Sequence, residues 1–242
     1  MLASAGGIGA RGSGCSMKIL AVADEPARSL RERCDVDHWR SKGIDLIASC
    51  GDLSVEYLNY LGDLLQVPLL YVRGNHDDEW RGRPGGEDIH GKVVTCGGVR
   101  FLGLEGAPRY NDKPIQYTES EVSLRLKLLA PRLWLSRGVD VVVAHAAPLF
   151  CPFAYKACPK PVGVGRPCPY LPPEADGRPV ICPEAEDMAH RGFAAYRELI
   201  LTYRPKLFIH GHRHRTFGRS KQEQTIGDTR VVDALGYVIL EV

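Results

Sequence analysis

Five short and largely apolar runs are spread along the chain, and a polar residue follows each of them within two positions. The runs cover residues 19–23, 46–50, 69–72, 141–144 and 207–209. Short runs of this kind are typical of strands that are covered on both faces. In open α/β sheets, the carboxyl ends of such strands are where binding sites form. The pattern therefore predicts buried strands with polar side chains at one edge.

The segments between these runs predict helices and turns, so strands and helices alternate in the first half of the chain. Residues 27–41 are polar and are expected to form a helix or a loop, and 78–91 form a loop rich in Gly and charge. Helices are predicted over 55–65, from Thr118 to about Leu129, and from Met188 until Pro205 stops the helix. A hairpin is expected around Gly97-Gly98, and short strands in the tail from 217 to 242. We expect two mixed sheets packed face to face with helices outside.

The polar residues at the strand ends form a set with metal-ligand chemistry. Carboxylate, imidazole and amide oxygen groups all bind divalent cations, and here they recur after five separate strands. The set consists of Asp24, Gly51-Asp52, Gly74-Asn75-His76-Asp77, His145 and Gly211-His212-Arg213-His214. Taken singly, each has another explanation: Asp52 as a turn residue or helix cap, His145 as a structural histidine, and the last pair as solvent-facing. Taken together, they predict one pocket.

This order of motifs resembles the calcineurin-like metallophosphoesterase superfamily, whose pattern is Asp-x-His, Gly-Asp, Gly-Asn-His-Asp/Glu, a single His, then Gly-His-x-His. The match runs from about residue 17 to the C-terminus. The resemblance implies a four-layer α/β/β/α sandwich over 17–242. The chain departs from the pattern in its first motif, which reads Asp24-Glu25-Pro26. Proline has no side-chain donor atom and cannot replace the histidine.

The resemblance also implies the roles of the motif residues. Asp24, Asp52 and His214 would hold a first metal, while Asn75, His145 and His212 would join Asp52 at a second. His76 would protonate the leaving-group oxygen or stabilise charge there, since an imidazole suits acid catalysis near neutral pH, and Asp77 would orient it. Two cations activate a water and neutralise phosphoryl charge, so the expected reaction is attack of metal-bound hydroxide on a phosphomonoester or phosphodiester.

Pro26 leaves the first metal with three protein ligands. Three ligands plus water still hold a catalytic ion in zinc enzymes. Mn²⁺ is the favoured ion because it tolerates water and carboxylate ligands, and Fe, Zn²⁺ and Mg²⁺ also fit. Glu25 is a poor substitute because its side chain points away from that of Asp24 on an extended chain. We expect a weakened first site beside an intact second one.

Substrate contacts are harder to assign. Asn75 is a candidate by resemblance, and Arg109 follows a predicted strand from which it could reach a substrate phosphate. A solvated surface position for Arg109 is an equal alternative. His190 and Arg191 either face the site or lie at the surface or a helix cap. The expected partner is a small phosphoester substrate whose identity, like the oligomeric state, the sequence does not fix.

One long segment breaks the alternation of strands and helices. Residues 146–183 hold ten of the seventeen prolines and follow His145 directly, which indicates an insertion beside the site. Four of the eight cysteines fall there: Cys151, Cys158, Cys168 and Cys182. Free thiols, a metal clamp and disulfides all remain open for them. Cys50, at a strand end, is expected to be a small buried apolar residue.

Composition narrows the class of protein. The 242 residues are 44% hydrophobic, with a net charge of +2. This balance gives no electrostatic argument for a membrane surface and argues against long nucleic acids. No apolar stretch approaches the ~20 residues that span a bilayer, and residues 1–16 resemble a disordered extension rather than a secretory signal. We expect a soluble, cytoplasmic protein.

The residues favour a metal-dependent phosphoesterase. The alternative is a non-catalytic member of the same superfamily, in which loss of ligands leaves the fold as a surface for a protein partner. Pro26 slightly favours the alternative. His76 argues against it, because a scaffold has no reason to keep a leaving-group acid.

Overall fold

A computed structural model describes residues 16–31, 35–149, 189–213 and 222–242. The predicted extension up to residue 15, most of the predicted insertion, its four cysteines and His214 lie outside these ranges. Within them, helices cover the outer faces of two large sheets. The predicted α/β/β/α sandwich of two mixed sheets is confirmed.

In chain order, the strands of the described residues are β1 (Lys18–Ala23), β2 (Leu46–Ser49), β3 (Leu69–Tyr71), β4 (Glu87–Asp88), β5 (Val93–Cys96), β6 (Val99–Leu104), β7 (Ala107–Pro108), β8 (Gln116–Tyr117), β9 (Val141–Ala144), β10 (Leu207–His210), β11 (Glu223–Ile226), β12 (Thr229–Asp233) and β13 (Gly236–Glu241). The helices are α1 (Arg28–Arg31), α2 (Val36–Ser41), α3 (Val55–Leu65), α4 (Glu119–Leu135) and α5 (Ala194–Tyr203), with a 3-10 turn over Asp77–Glu79.

The strand order brings the predicted site strands together. One sheet has the order β13-β1-β2-β3-β4, and the other has the order β11-β12-β10-β9-β6-β5. β1, β2 and β3 run parallel, and so do β6, β9 and β10. Because parallel strands end at the same edge, the segments that follow β1, β2, β3, β9 and β10 are positioned to meet.

The strands that lead to the site bury both of their faces: these are β1, β2, β3, β9 and β10. On β1, Ile19 and Ala21 contact the core between the sheets, while Leu20 and Val22 pack beneath the helices of the first sheet. Successive side chains of a strand point to opposite faces, which is why a continuously apolar run is needed here. Burial of both faces is therefore the reason why these strands are recognisable in the sequence as apolar runs.

The helices follow local signals, with two differences from the predicted bounds. α4 starts with the capping box of Thr118 and Glu121 but continues to Leu135, six residues beyond its predicted end, although Pro131 lies inside it. Leu133 is buried against the second sheet, and this packing outweighs the missing N–H of Pro131. α5 begins at Ala194, because Gly192 has a positive φ of 78° and lies too close to Ala147 O for a helix or a side chain.

Other segments depart from the sequence pattern in smaller ways. The predicted loop 78–91 contains β4 and the end of the 3-10 turn, and β2 ends one residue before the predicted run 46–50 does. The tail divides between the sheets, since β11 and β12 join the second sheet and β13 pairs with β1 in the first. Among the described residues, no helix has the length and hydropathy needed to cross a bilayer.

Candidate metal centre

Three predicted ligands meet at the shared edge of the two sheets. Asp52 follows β2, His145 follows β9 and His212 follows β10, and one ligand atom from each lies within 4.8 Å of the others. His145 is fully buried and His212 is 4% exposed. Within the part of the chain that the structure describes, this is the one group of three such side chains able to hold a metal ion.

The orientation of the His145 ring is fixed by contacts at both of its nitrogens. Its Nδ1 lies 2.8 Å from Cys50 O, and because a carbonyl oxygen only accepts, Nδ1 carries a proton. The other nitrogen, Nε2, faces Asn75 Oδ1 at 2.9 Å and Asp52 Oδ2 at 3.4 Å, and because both oxygens accept, it too carries a proton when no metal is bound. Two oxygens and one nitrogen converge on a space that a proton now bridges. That donor set suits a divalent cation, so these residues fit the metal that the motifs imply.

The contact between His145 and Asp52 shifts their pKa values in opposite directions. Burial disfavours the charged form of both groups, but the contact between them prevails: Asp52 raises the pKa of His145 well above its ordinary value, and His145 lowers that of Asp52. The pair thus holds a positive charge on His145 against the carboxylate. A bound cation would replace that proton, so metal binding is expected to release protons.

His212 completes the group from the opposite side. Its Nε2 donates to Ala189 O at 3.0 Å, which leaves Nδ1 as the nitrogen available to a metal. Its ring lies 4.8 Å from those of His145 and His190 and stacks on the latter at 25°. Burial, with the nearby positive charge of His145, lowers the pKa of His212 to about 2. His212 is therefore neutral in the folded protein, as a metal ligand must be.

The depressed pKa of His212 predicts a loss of stability in acid. Below about pH 6.5 His212 is protonated in the unfolded chain but stays neutral in the folded protein. The free energy of unfolding therefore falls as the pH falls toward the folded pKa. Between pH 7 and pH 5 this one residue lowers the free energy of unfolding by about 2 kcal/mol. Urea unfolding in chelator at both pH values measures this effect. The decrease in the free energy of unfolding from pH 7 to pH 5 should be about 2 kcal/mol smaller in His212→Asn than in the wild-type protein. Equal losses in the two proteins would contradict the assignment.

Three motif residues adopt a left-handed backbone. The φ values are 62° at Asp24, 57° at Asp52 and 62° at His212. Residues other than glycine seldom adopt this conformation, and it costs roughly 1–3 kcal/mol per residue. Each of these residues directly follows a strand or a strand-terminal glycine, so the conformation turns the chain sharply at the sheet edge. Such strain is concentrated at functional sites.

Asp24 is tied to the last motif rather than placed in the group of three. Both of its carboxylate oxygens accept from His212 N at 3.0 Å, and Gly211 allows this approach because a Cβ there would lie 2.7 Å from Asp24 Oδ2. Glu25 and Pro26 are exposed. The two motifs thus meet, as predicted from the sequence, while the metal-binding role of Asp24 stays a prediction.

The loop after β3 is fixed to Asp52 by backbone hydrogen bonds. Asp77 Oδ2 accepts from Gly74 N at 2.7 Å and from Asp52 N at 2.8 Å, and Asp52 Oδ1 accepts from His76 N at 2.9 Å. Burial raises the pKa of Asp77 to about 6, although the hydrogen bonds from these two N–H groups lower it. The Asp77 carboxylate therefore joins two loops, and its predicted action on the ring of His76 stays a prediction. His76 itself is exposed.

The two predicted substrate-contact residues have different surroundings. Asn75 is fully buried beside His145, whereas Arg109 is exposed and its guanidinium pairs with Glu121 at 3.1 Å. The neighbour of Arg109, Tyr110, was missed from the sequence. Its hydroxyl accepts from Asn75 Nδ2 at 3.1 Å, which turns the amide oxygen of Asn75 toward His145. No motif marks Tyr110, because only the fold of the β7–β8 loop brings it to the site.

Comparisons with known proteins bear on the family and the fold. The family model described as calcineurin-like phosphoesterase matches residues 35–216. One crystal structure aligns with a TM-score of 0.55 at 16% identity, covering 94% of this chain and 95% of its own. The protein TT1561 of Thermus thermophilus aligns with a TM-score of 0.53 at 16% identity, and the alignment covers 91% of this chain and 89% of that protein. A mutant Vps29 from Entamoeba histolytica aligns with a TM-score of 0.37 at 12% identity, and the alignment covers 90% of this chain and 73% of that protein. A search of curated proteins found no significant match.

Proposed function

Because the chain belongs to the calcineurin-like phosphoesterase family, we propose that it hydrolyses a phosphomonoester or a phosphodiester with the help of divalent metal. The observation that supports this proposal best is the convergence of Asp52, His145 and His212 from three separate strand ends. A bound divalent ion would supply a nucleophile from water and offset the charge of the phosphoryl group. Mn²⁺ is the ion we propose.

The chain's own residues prepare this chemistry. Cys50 O fixes the His145 ring, and Tyr110 fixes the amide of Asn75, so the ligand atoms are oriented before any ion arrives. Asp52 has one oxygen on the His76 backbone and the other toward His145, and thus joins the metal group to the proposed acid. The exposed ring of His76 remains accessible to a substrate and would give its proton to the departing oxygen.

Turnover of a chromogenic phosphodiester and a phosphomonoester, with Mn²⁺ and with chelator, tests the proposal. Wild-type protein should hydrolyse at least one of them only with metal. On the corresponding alkyl ester, whose alkoxide leaving group needs a proton, His76→Ala should lower kcat by about 10²–10⁴-fold, the range for loss of a general acid, while the content of bound metal stays unchanged. His38→Ala, which removes an exposed histidine from α2, is the matched control and should keep full activity.

Full activity in His76→Ala would remove the acid from the mechanism. Absence of turnover with Mn²⁺, Fe²⁺, Zn²⁺ or Mg²⁺ on either ester class would reject the hydrolase and favour the non-catalytic scaffold that Pro26 permits.

A further inference from the structure

An open groove of about 370 Å³ leads away from the metal centre on the side of His76. Asp52 and His76 line its inner end, and the first residues of α3 and the end of the 3-10 turn line the rest. If His76 protonates the departing oxygen, then the alcohol released by hydrolysis lies in this groove. The chemistry of that alcohol can then be inferred from the groove, on the basis of the proposed function.

One wall of the groove is apolar and rigid. The indole N–H of Trp80 donates to Leu53 O at 3.1 Å, and its ring lies against that of Tyr71 with centroids 5.7 Å apart. Leu53 and Val55 also line the groove. A fixed aromatic side chain beside apolar residues provides contact area for the body of a ligand without losing much conformational freedom on binding.

Apart from Asp52, His76 and Asp77, the charged side chains that line the groove carry a net negative charge. Glu56 and Glu79 line it and are exposed, and Arg81 is the one cation beside them among its lining residues. No ion pair involving these three residues occurs in the described part of the chain.

The positive end of α3 does not reverse this balance. The hydroxyl of Ser54 caps the helix by accepting from Tyr57 N, and Glu56 already lies in the first turn, where it offsets the helix dipole. Besides Asp52 and Asp77, whose carboxylates accept hydrogen bonds from the loops of the metal centre, a ligand in the groove therefore meets two exposed carboxylates and one guanidinium.

We propose that this groove selects esters of an uncharged or cationic alcohol and disfavours esters whose leaving group is anionic, with Glu56 and Glu79 as the specificity-determining residues. An added negative charge on the leaving group is repelled by both carboxylates. Across a partly exposed groove, one unit charge at about 7 Å changes a rate constant by roughly 3- to 10-fold. Nucleoside and amino-alcohol esters fit this description, whereas polyphosphates and phosphorylated acids do not.

Matched chromogenic esters test the proposal. The 4-nitrophenyl and 3-carboxy-4-nitrophenyl esters share a chromophore and differ by one carboxylate on the leaving group. The measured quantity is the ratio of kcat/KM for the neutral ester to that for the anionic one, on whichever ester class the wild type cleaves. Comparing this ratio between variants cancels the intrinsic difference in reactivity of the two esters. Glu56→Gln and Glu79→Gln should each lower it by about 3- to 10-fold, and Arg81→Gln should raise it.

Asp63→Asn is the control, because Asp63 is an exposed carboxylate on α3 outside the groove. It should leave the ratio unchanged, and roughly 1 M salt should shrink the effects of the glutamate variants. Active enzyme with the wild-type ratio in both glutamate variants would overturn the groove assignment and leave the proposed function standing. Absence of turnover with any ester and any metal would overturn both.

Discussion

Replacing His145 by Ala is expected to abolish tight metal binding and to lower kcat/KM by about 10³-fold, since a bound ion contributes several kcal/mol and each 1.36 kcal/mol is tenfold. His145 Nε2 is the atom on which Asn75 Oδ1 and Asp52 Oδ2 converge. Without the ring, both oxygens lose this partner. Metal content after gel filtration and steady-state kinetics in Mn²⁺ measure the two effects.

The same experiment separates the two predicted metal positions. His145 belongs to the group that the structure assembles, whereas Asp24 is tied to the backbone of His212 and belongs to the motif in which Pro26 replaces the expected histidine. We expect one tightly held ion per chain, removed by His145→Ala and weakened less by Asp24→Ala. Two tight ions that are equally sensitive to both substitutions would contradict this expectation. His38→Ala controls for loss of a histidine elsewhere.

The sequence predicts the site edge because burial leaves a simple trace. A strand covered on both faces needs an unbroken apolar run, so the runs before Asp24, Asp52 and His145 are visible without coordinates. The polar residues at their ends are conspicuous for the same reason. Parallel pairing then brings them to one edge, and this is why the motif residues were found together.

Other parts of the site depend on long-range geometry that leaves no local trace. His212 has a left-handed backbone, and its N–H donates to Asp24, which lies 188 residues away. Tyr110 reaches Asn75 because Gln116, fully buried, accepts from the backbone of residues 110 and 111 and fixes that loop. β13 joins the first sheet although its sequence neighbour β12 belongs to the second. Such contacts are set by tertiary packing rather than by pattern.

Gly51→Ala is expected to destabilise the protein by about 3–5 kcal/mol, from the combined cost of a strained backbone and an overpacked contact. Gly51 has a φ of 96°, and a Cβ there would lie 2.3 Å from Gly74 N and 2.9 Å from Arg73 C. These are backbone atoms, so no side-chain rotation relieves the clash. The loops carrying Asp52 and His76 would have to separate, and the metal affinity should fall with the stability.

Gly82→Ala isolates the clash from the backbone strain. Gly82 has nearly the same φ, 98°, but a Cβ there meets nothing within 4 Å. Its substitution should cost about 1 kcal/mol, since an exposed loop relaxes, and should leave metal affinity unchanged. In a domain of this size each 1 kcal/mol shifts the Tm by about 2–4 °C, so thermal melts in chelator resolve the two variants easily. If Gly51→Ala melted within about 2 °C of Gly82→Ala, the close approach of the two loops would not be what holds Asp52 in place.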